Sequence, residues 1–109
     1  MATTYKILGQ VLSTANTTSN IYSVPAATST VISTITVCNQ SANAATFRLA
    51  VRPTSEALAA KHYINYDTPI PGNDTITLTL GFTLGATDVV VSNSSTSLIS
   101  YSAFGSEIT

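Results

Sequence analysis

The sequence predicts an all-β chain, a two-sheet antiparallel β-sandwich of jelly-roll or immunoglobulin-like type with eight or nine short strands. Three observations carry that expectation. Apolar and polar residues alternate with period two along most of the chain, the pattern of strands buried on one face. Clusters of Gly, Pro, Asn, Asp and Ser break the alternation at short intervals, as turns do in sandwiches and barrels. Ser and Thr make up about thirty per cent of the 109 residues while charged residues fall to 8%, about a third of the usual ~25%. Thr is β-branched and suits a half-buried pleated surface, and Ser suits turns, so this exchange favours strands over helices.

The elements follow in order. Thr4–Leu12 reads as a strand with Tyr5, Ile7 and Val11 on one face, broken at Gly9. Asn16–Asn20 is a polar turn, and Ile21–Pro25 is a short strand stopped by a residue that cannot donate to a ladder. Thr28–Asn39 is the longest run, with Val31, Ile35 and Val37 on one side and Ile32, Thr34, Thr36 and Cys38 on the other. After the loop Asn39–Ala45, Thr46–Arg52 alternates most cleanly: Phe47, Leu49 and Val51 point inward, Arg48 and Arg52 outward, and Pro53 ends it. Ser55–Lys61 carries helix formers behind a Ser cap and allows at most one helical turn. His62–Thr68 returns to strand, with Ile64 set against Tyr63 and Asn65, and Pro69–Asp74 is a turn. Thr75–Leu80 sets Thr against Ile76, Leu78 and Leu80, and the glycines of Gly81–Asp88 bend the chain. Val89–Ser92 and Leu98–Phe104 are the last strands, split by the polar loop Asn93–Ser97. Phe47, Leu49, Val51, Ile76, Leu78 and Leu80 form the predicted centre of a single domain over residues 1–109.

Composition narrows the function. Hydrophobic residues reach 44% and mean hydropathy is +0.30, values of a folded globule. A net charge of −1 and four basic residues, Lys6, Arg48, Arg52 and Lys61, give no basic stripe for nucleic acid. No apolar run approaches the ~18 residues of a membrane helix, and the opening Met1–Lys6 does not read as a signal peptide. The expectation is synthesis in a cytoplasm without a cleaved export signal. Weak charge gives copies little mutual repulsion, which fits a subunit covered by neighbours in an assembly.

The chemistry-bearing residues read mainly as structural. His62, the single histidine, has no nucleophile-elbow pattern near it and cannot alone supply paired ligands to a transition metal. Glu56, Asp67, Asp74, Asp88 and Glu107 are scattered, with Asp74 and Asp88 placed to cap turn N–H groups. No catalytic, cofactor-binding or metal-binding residue is assigned. Cys38, the single cysteine, excludes an internal disulfide and reads as an inert buried thiol. The glycosylation sequons at Asn16, Asn39, Asn73 and Asn93 are what this composition yields by chance. One group stands apart: Tyr63 and Tyr66, with Arg48 and Arg52, form a candidate interface, an aromatic–basic patch of the kind that anchors protein partners and stacks on sugars.

The order of several segments is itself distinctive. They are Lys6-Ile-Leu-Gly-Gln10, Ile21-Tyr-Ser-Val-Pro-Ala-Ala-Thr28, Thr34-Ile-Thr-Val-Cys-Asn39, Thr46-Phe-Arg-Leu-Ala-Val-Arg-Pro53, Tyr63-Ile-Asn-Tyr-Asp67 and Phe104-Gly-Ser-Glu-Ile108. In this order the chain resembles small bacteriophage virion structural proteins, the decoration- or tail-fibre-like β proteins common in phages of cyanobacteria and in marine phages. The resemblance spans nearly the whole chain. It implies a non-enzymatic β-sandwich present in many copies on the virion surface, as a trimer or another homo-oligomer packed on a capsid or tail lattice. Head decoration or cement is the specific expectation. A tail, collar or baseplate component that binds a host receptor or glycan through Asn39–Ala45, Pro69–Asp74 and Asn93–Ser97 is the alternative.

Overall fold

The computed structural model describes residues 2–79 and 81–109. Leu80, placed above at a strand end and in the centre, lies outside the described residues. Among the described residues nine strands are formed: β1 (Thr3–Leu12), β2 (Ser19–Ser23), β3 (Ser29–Asn39), β4 (Ala45–Arg52), β5 (Tyr63–Ile70), β6 (Asp74–Leu78), β7 (Phe82–Leu84), β8 (Val89–Ser94) and β9 (Ile99–Ile108). A 3₁₀ turn, Ala60–His62, precedes β5. All strand pairs are antiparallel, in two sheets ordered β1-β9-β3-β6 and β2-β8-β4-β5, with β7 also on β3.

β6 and β7 are two halves of one edge strand. β6 pairs with Ile35–Asn39 and β7 with Thr30–Ile32, in the same direction along β3. Counting them once leaves eight strands, and every connection except β4–β5 crosses between sheets. The sandwich is therefore a jelly roll, and the immunoglobulin-like order is excluded because there the first two strands share a sheet.

The connections β1–β2, β3–β4, β5–β6 and β8–β9 gather at one end, here the loop end. Segments 24–28, 53–62 and 85–88 and the chain termini gather at the other, the terminal end.

The core lies between the sheets. Ile32, Ile35, Val37, Phe47, Leu49, Ile70, Val90, Ile99 and Tyr101 are buried, with Val51, Ile76 and Leu78 half-buried against them. Burying one such aliphatic or Phe side chain contributes about 1.5–3 kcal/mol, enough in sum to hold two sheets with few charges. Phe47 and Tyr101 meet edge to face, with ring centroids 6.4 Å apart. The Tyr101 hydroxyl reaches the Asn93 carbonyl at 3.1 Å, and burial pushes its pKa up to about 12.

Register breaks correct the predicted faces. A bulge at Leu8 makes Leu8 the buried residue, so Tyr5 and Ile7, predicted to share a face with Val11, are exposed. A second at Ser33 puts Ile32 inward with Ile35 and Val37 and leaves Val31 outside. Each bulge adds one residue and so reverses the alternation beyond it.

Other boundaries also move. Pro69 and Ile70 belong to β5 and not to the following turn, and Ile70 is core. Pro69 is tolerated because β5 is an edge strand. The helical turn falls at Ala60–His62, and Phe82–Leu84 is strand and not bend. β9 continues to Ile108, four residues beyond the predicted Phe104. Cys38 is half-buried on the outer side of β3, and Ile64 is exposed.

Close approach of backbone fixes Gly9 and Gly105. A Cβ on Gly9 would lie 2.1 Å from the Ile21 carbonyl oxygen, and one on Gly105 2.0 Å from that of Val31. Gly9 lets edge strand β1 close on edge strand β2, and Gly105 sits under the β3 bulge.

Candidate functional site

The most organised polar surface lies on the outer side of β4 and β5. Two register breaks fall in this pair, one between Phe47 and Leu49 and one between Leu49 and Ala50. At the first, Asp67 takes a left-handed backbone (φ 49°), a costly conformation for a residue with a Cβ and one tolerated by Asp. The consequence is that Tyr66 and Asp67 both reach Arg48 of the neighbouring strand.

Arg48 donates to Asp67 through Nε (2.7 Å to Oδ1) and Nη2 (3.2 Å to Oδ2). This fork-to-carboxylate geometry fixes the guanidinium plane. The guanidinium carbon stands 4.0 Å from the centroid of the Tyr66 ring, within cation–π range. Tyr63 meets Tyr66 edge to face, centroids 5.1 Å apart. Hydrogen bonding from Arg48 holds the Asp67 carboxyl below its ordinary value, and Asp67 in turn raises Arg48. The pair stays ionised and mutually neutralised across the ordinary pH range.

Arg48 separates two depressions. On one side, Leu58, Ala59 and Ala60 join Tyr63 and Tyr66 in a shallow apolar dish. On the other is a polar cleft of about 150 Å³, whose far wall is Asn16, Asn93, Ser94 and Ser95. That wall is anchored by backbone: Ser95 N–H donates to the Thr46 carbonyl (2.9 Å), Asn16 N–H to the Ser94 carbonyl (2.8 Å), and Thr46 N–H to Ser95 Oγ (3.0 Å). Asn16 is also left-handed (φ 55°).

Of the four residues in the predicted patch, Arg48, Tyr63 and Tyr66 come together and Arg52 does not. Arg52 Nη1 donates to the Glu56 carbonyl at 3.2 Å and ties down the segment after β4. His62 serves the same segment. Its Nδ1 accepts from Ala59 N–H at 2.9 Å and its Nε2 lies 3.3 Å from Glu56 Oε1. Lys61, at 2.6 Å, holds the Glu56 carboxyl below its usual value, with His62 adding less. Held so, Leu58 and Tyr63 cover Ala50, Val89 and Val91 on the outside of the sheet.

The remaining carboxylates close turns or seal the core. Asp88 accepts from Gly85 N–H at 2.9 Å, and Asp74 from Thr75 N–H at 2.8 Å. Glu107 faces inward near the terminal end, 3.0 Å from Lys6 Nζ and hydrogen-bonded by the Tyr22 hydroxyl, which also lies 2.9 Å from Thr30 Oγ1. Burial and then Glu107 push Tyr22 up to about 12, while Tyr22 and Lys6 hold Glu107 below its ordinary value. Asn39 is fully buried at the loop end; its amide nitrogen reaches the carbonyls of Asn43 (2.9 Å), Pro71 (3.2 Å) and Ile70 (3.3 Å), and its oxygen accepts from Ser41 N–H (3.0 Å).

Asp67 and Glu107 stand in the sequence only as two of five scattered carboxylates, with no role assigned. Their partners lie 19 and 101 positions away, and only strand register brings them together. Among the described residues, no group of three or more His, Cys, Asp or Glu is placed to hold a metal ion, and no helix is long and apolar enough to cross a membrane.

The outer side of the other sheet differs. Tyr5 (83% exposed) and Ile7 (55%) lie on edge strand β1, and Tyr5 joins Val31 and Phe104 in a shallow apolar depression. No protein-family model matches the chain, nor does any curated protein or solved structure.

Proposed function

We propose that the protein is a non-enzymatic structural component of a bacteriophage virion surface, acting as a head decoration or cement subunit in a cyclic homo-oligomer. The observation that carries this reading is the free edge of β1. Ala2 and Thr109 exchange both backbone hydrogen bonds (3.0 and 2.9 Å), so the alternating pattern turns Thr4 and Lys6 toward β9. Thr3, Tyr5 and Ile7 therefore present N–H and C=O groups to the open edge, on the strand that exposes Tyr5 and Ile7. Unblocked apolar edges are liabilities in monomers, and their ordinary resolution is a neighbour. Low charge, the jelly roll (a fold used by viral capsid and lectin domains) and the resemblance of the segment order to small virion proteins support the same reading. Each contact is modest, and many copies on a lattice sum through avidity.

Imaging of intact particles tests the location: density for this sandwich on the head is the expected result, and its absence from the particle rejects the proposal. Tyr5→Pro tests the edge in solution. It removes an N–H that the fold does not use, so the expected outcome is a folded protein that no longer assembles. An oligomer unchanged by Tyr5→Pro rejects β1 as the contact.

A second reading, a receptor- or glycan-binding part of the tail, collar or baseplate, is favoured by the Arg48 cluster. Of the three loops it invoked, Asn39–Ala45 and Pro69–Asp74 are locked to each other through Asn39, whereas Asn93–Ser97 contributes to the cleft beside Arg48.

A further inference from the structure

We infer that the open edge of β1 takes one occupant, β1 of a second copy of this chain, paired antiparallel about a two-fold axis at Tyr5. The inference rests on the reading of β1 as the assembly edge, and adds the partner strand, the register and the symmetry.

The other sheet edges among the described residues are blunted, and that selects the partner. On β5, Pro69 cannot donate, and the left-handed Asp67 (φ 49°) breaks the line of the strand. On β6 the Asp74 carboxylate takes the Thr75 N–H at 2.8 Å, and β7 is three residues long. On β2 the ladder is broken at Ile21, and Gly9 of β1 closes over the Ile21 carbonyl. From Thr3 to Ile7, by contrast, β1 is regular. Lys is a usual guard of such an edge, but Lys6 is turned away from the Tyr5 and Ile7 face and lies 3.0 Å from Glu107. An edge whose open counterpart is itself makes a self-complementary contact, and such contacts have two-fold symmetry.

Hydrogen-bond parity and charge then fix the register. Thr3, Tyr5 and Ile7 carry the outward N–H and C=O groups, so these positions must face one another. Centred on Tyr5, the pairing sets Tyr5 opposite Tyr5 and Thr3 opposite Ile7, and each outward group of this stretch finds a partner. Thr4 then stands opposite Lys6, and no like charges meet. A register centred on Lys6 sets Lys6 against Lys6, which is unfavourable, and runs Thr3 past the bulge at Leu8. One centred on Thr4 leaves Ile7 with no partner in β1 of the second copy. The register at Tyr5 also gathers Tyr5 (83% exposed) and Ile7 (55%) of both copies on one face, beside Val31 and Phe104. The product is a continuous sheet, β6-β3-β9-β1-β1-β9-β3-β6.

Sedimentation equilibrium of the purified chain tests the symmetry. The paired stretch is short, and interfaces under ~1,200 Å² are weak. The expected result is therefore a monomer–dimer equilibrium with a dissociation constant on the order of 10–100 μM. Tyr5→Pro should weaken it by about tenfold or more. Disulfide trapping tests the register, in chains carrying Cys38→Ser. Opposed Cα atoms of a hydrogen-bonded pair stand about 5.5 Å apart, within disulfide reach. The two copies of position 3 stand about 14 Å apart along the strands. Tyr5→Cys alone should oxidise to a covalent dimer, whereas Thr3→Cys and Ile7→Cys should cross-link only when mixed. All three side chains are exposed, so the substitutions leave the core intact. No dimer at about 1 mM, or trapping of Thr3→Cys alone as readily as Tyr5→Cys, overturns the inference. A trimer abolished by Tyr5→Pro overturns the two-fold and leaves β1 as the assembly edge. A trapped Tyr5→Cys dimer from a protein absent from the particle upholds the two-fold and rejects the virion reading.

Discussion

The two ends of the jelly roll are sealed by different chemistry. At the loop end a neutral residue, Asn39, is fully buried, shares its two amide hydrogens among three carbonyls and accepts an N–H, across two loops. At the terminal end the seal is ionic, Glu107 between Lys6 and the Tyr22 hydroxyl. Apart from Asp67 within β5, the left-handed non-glycine positions divide the same way. Those of the loop end are Asn16 and Asn73, and those of the terminal end are Ala27 and Thr87. Asn bears that conformation at little cost, whereas Ala and especially β-branched Thr do not. The loop end is locally self-consistent. The terminal end is held in shape by tertiary bonds, Val24 N–H to the Asp88 carbonyl (2.9 Å) and Thr87 N–H to the Val24 carbonyl (3.0 Å).

The comparison breaks most visibly at Asn39. Asn39→Ala strips the amide from buried loop carbonyls and leaves a void, and each orphaned polar group costs about 1–3 kcal/mol. A total loss of about 3 kcal/mol is expected, read as a lowered urea midpoint with unchanged slope. The effect should be the same at pH 7 and pH 4, because the amide does not titrate. A loss under about 0.5 kcal/mol would show that water replaces the amide and that the loop end is not sealed by it.

The ionic seal predicts the opposite profile. The folded pKa of Glu107 is depressed, first by the Tyr22 hydrogen bond and then by Lys6. Its ionised form is therefore favoured in the fold. The contribution is complete above 4.5, the ordinary value of the group, and is lost as pH falls through the lower folded value. Glu107→Gln should cost about 1 kcal/mol or less at neutral pH and flatten the acid limb of the stability curve. Some acid sensitivity remains, because Asp67 and Glu56 are depressed as well. An acid limb identical to that of the parent protein would mean that Lys6 and Tyr22 do not favour the carboxylate.

The same division governs what the sequence reveals. Loop-end turns were legible because their residues carry the turn chemistry themselves: Asn16–Asn20, Asn39–Ala45 and Asn93–Ser97 are polar runs between apolar strands. The strands were legible through alternation. Their faces were not, because a bulge reverses parity and period two assumes none. A trace was present, though, since both misassigned faces contain adjacent apolar residues, Ile7-Leu8 and Val31-Ile32. The patch was legible as residue types, and Arg52 was assigned to it because position 52 shares a face with position 48. What separates them is the segment 53–56, whose carbonyls capture Arg52. Asp67 was missed because its role depends on a bulge in one strand and the register of the next.

The smallest effect sharpens the contrast most directly. Thr87 occupies the third position of a turn closed by Asp88 N–H donating to the Gly85 carbonyl at 3.2 Å, with φ of 67°. A left-handed residue with a Cβ costs roughly 1–2 kcal/mol, and glycine removes that while adding about 0.5–1 kcal/mol of unfolded-chain entropy. Thr87→Gly should therefore stabilise by up to about 1 kcal/mol. Asn73→Gly, at φ of 55° on the loop end, relieves less strain for the same entropy loss, so its expected change is near zero or slightly negative. Thermal melts of the two variants beside the parent protein decide the point. If both substitutions move the midpoint equally, the strain is not concentrated at the terminal end. If Thr87→Gly alone raises it, the chain carries an unfavourable turn where only the packing of segments 24–28 and 85–88 requires one.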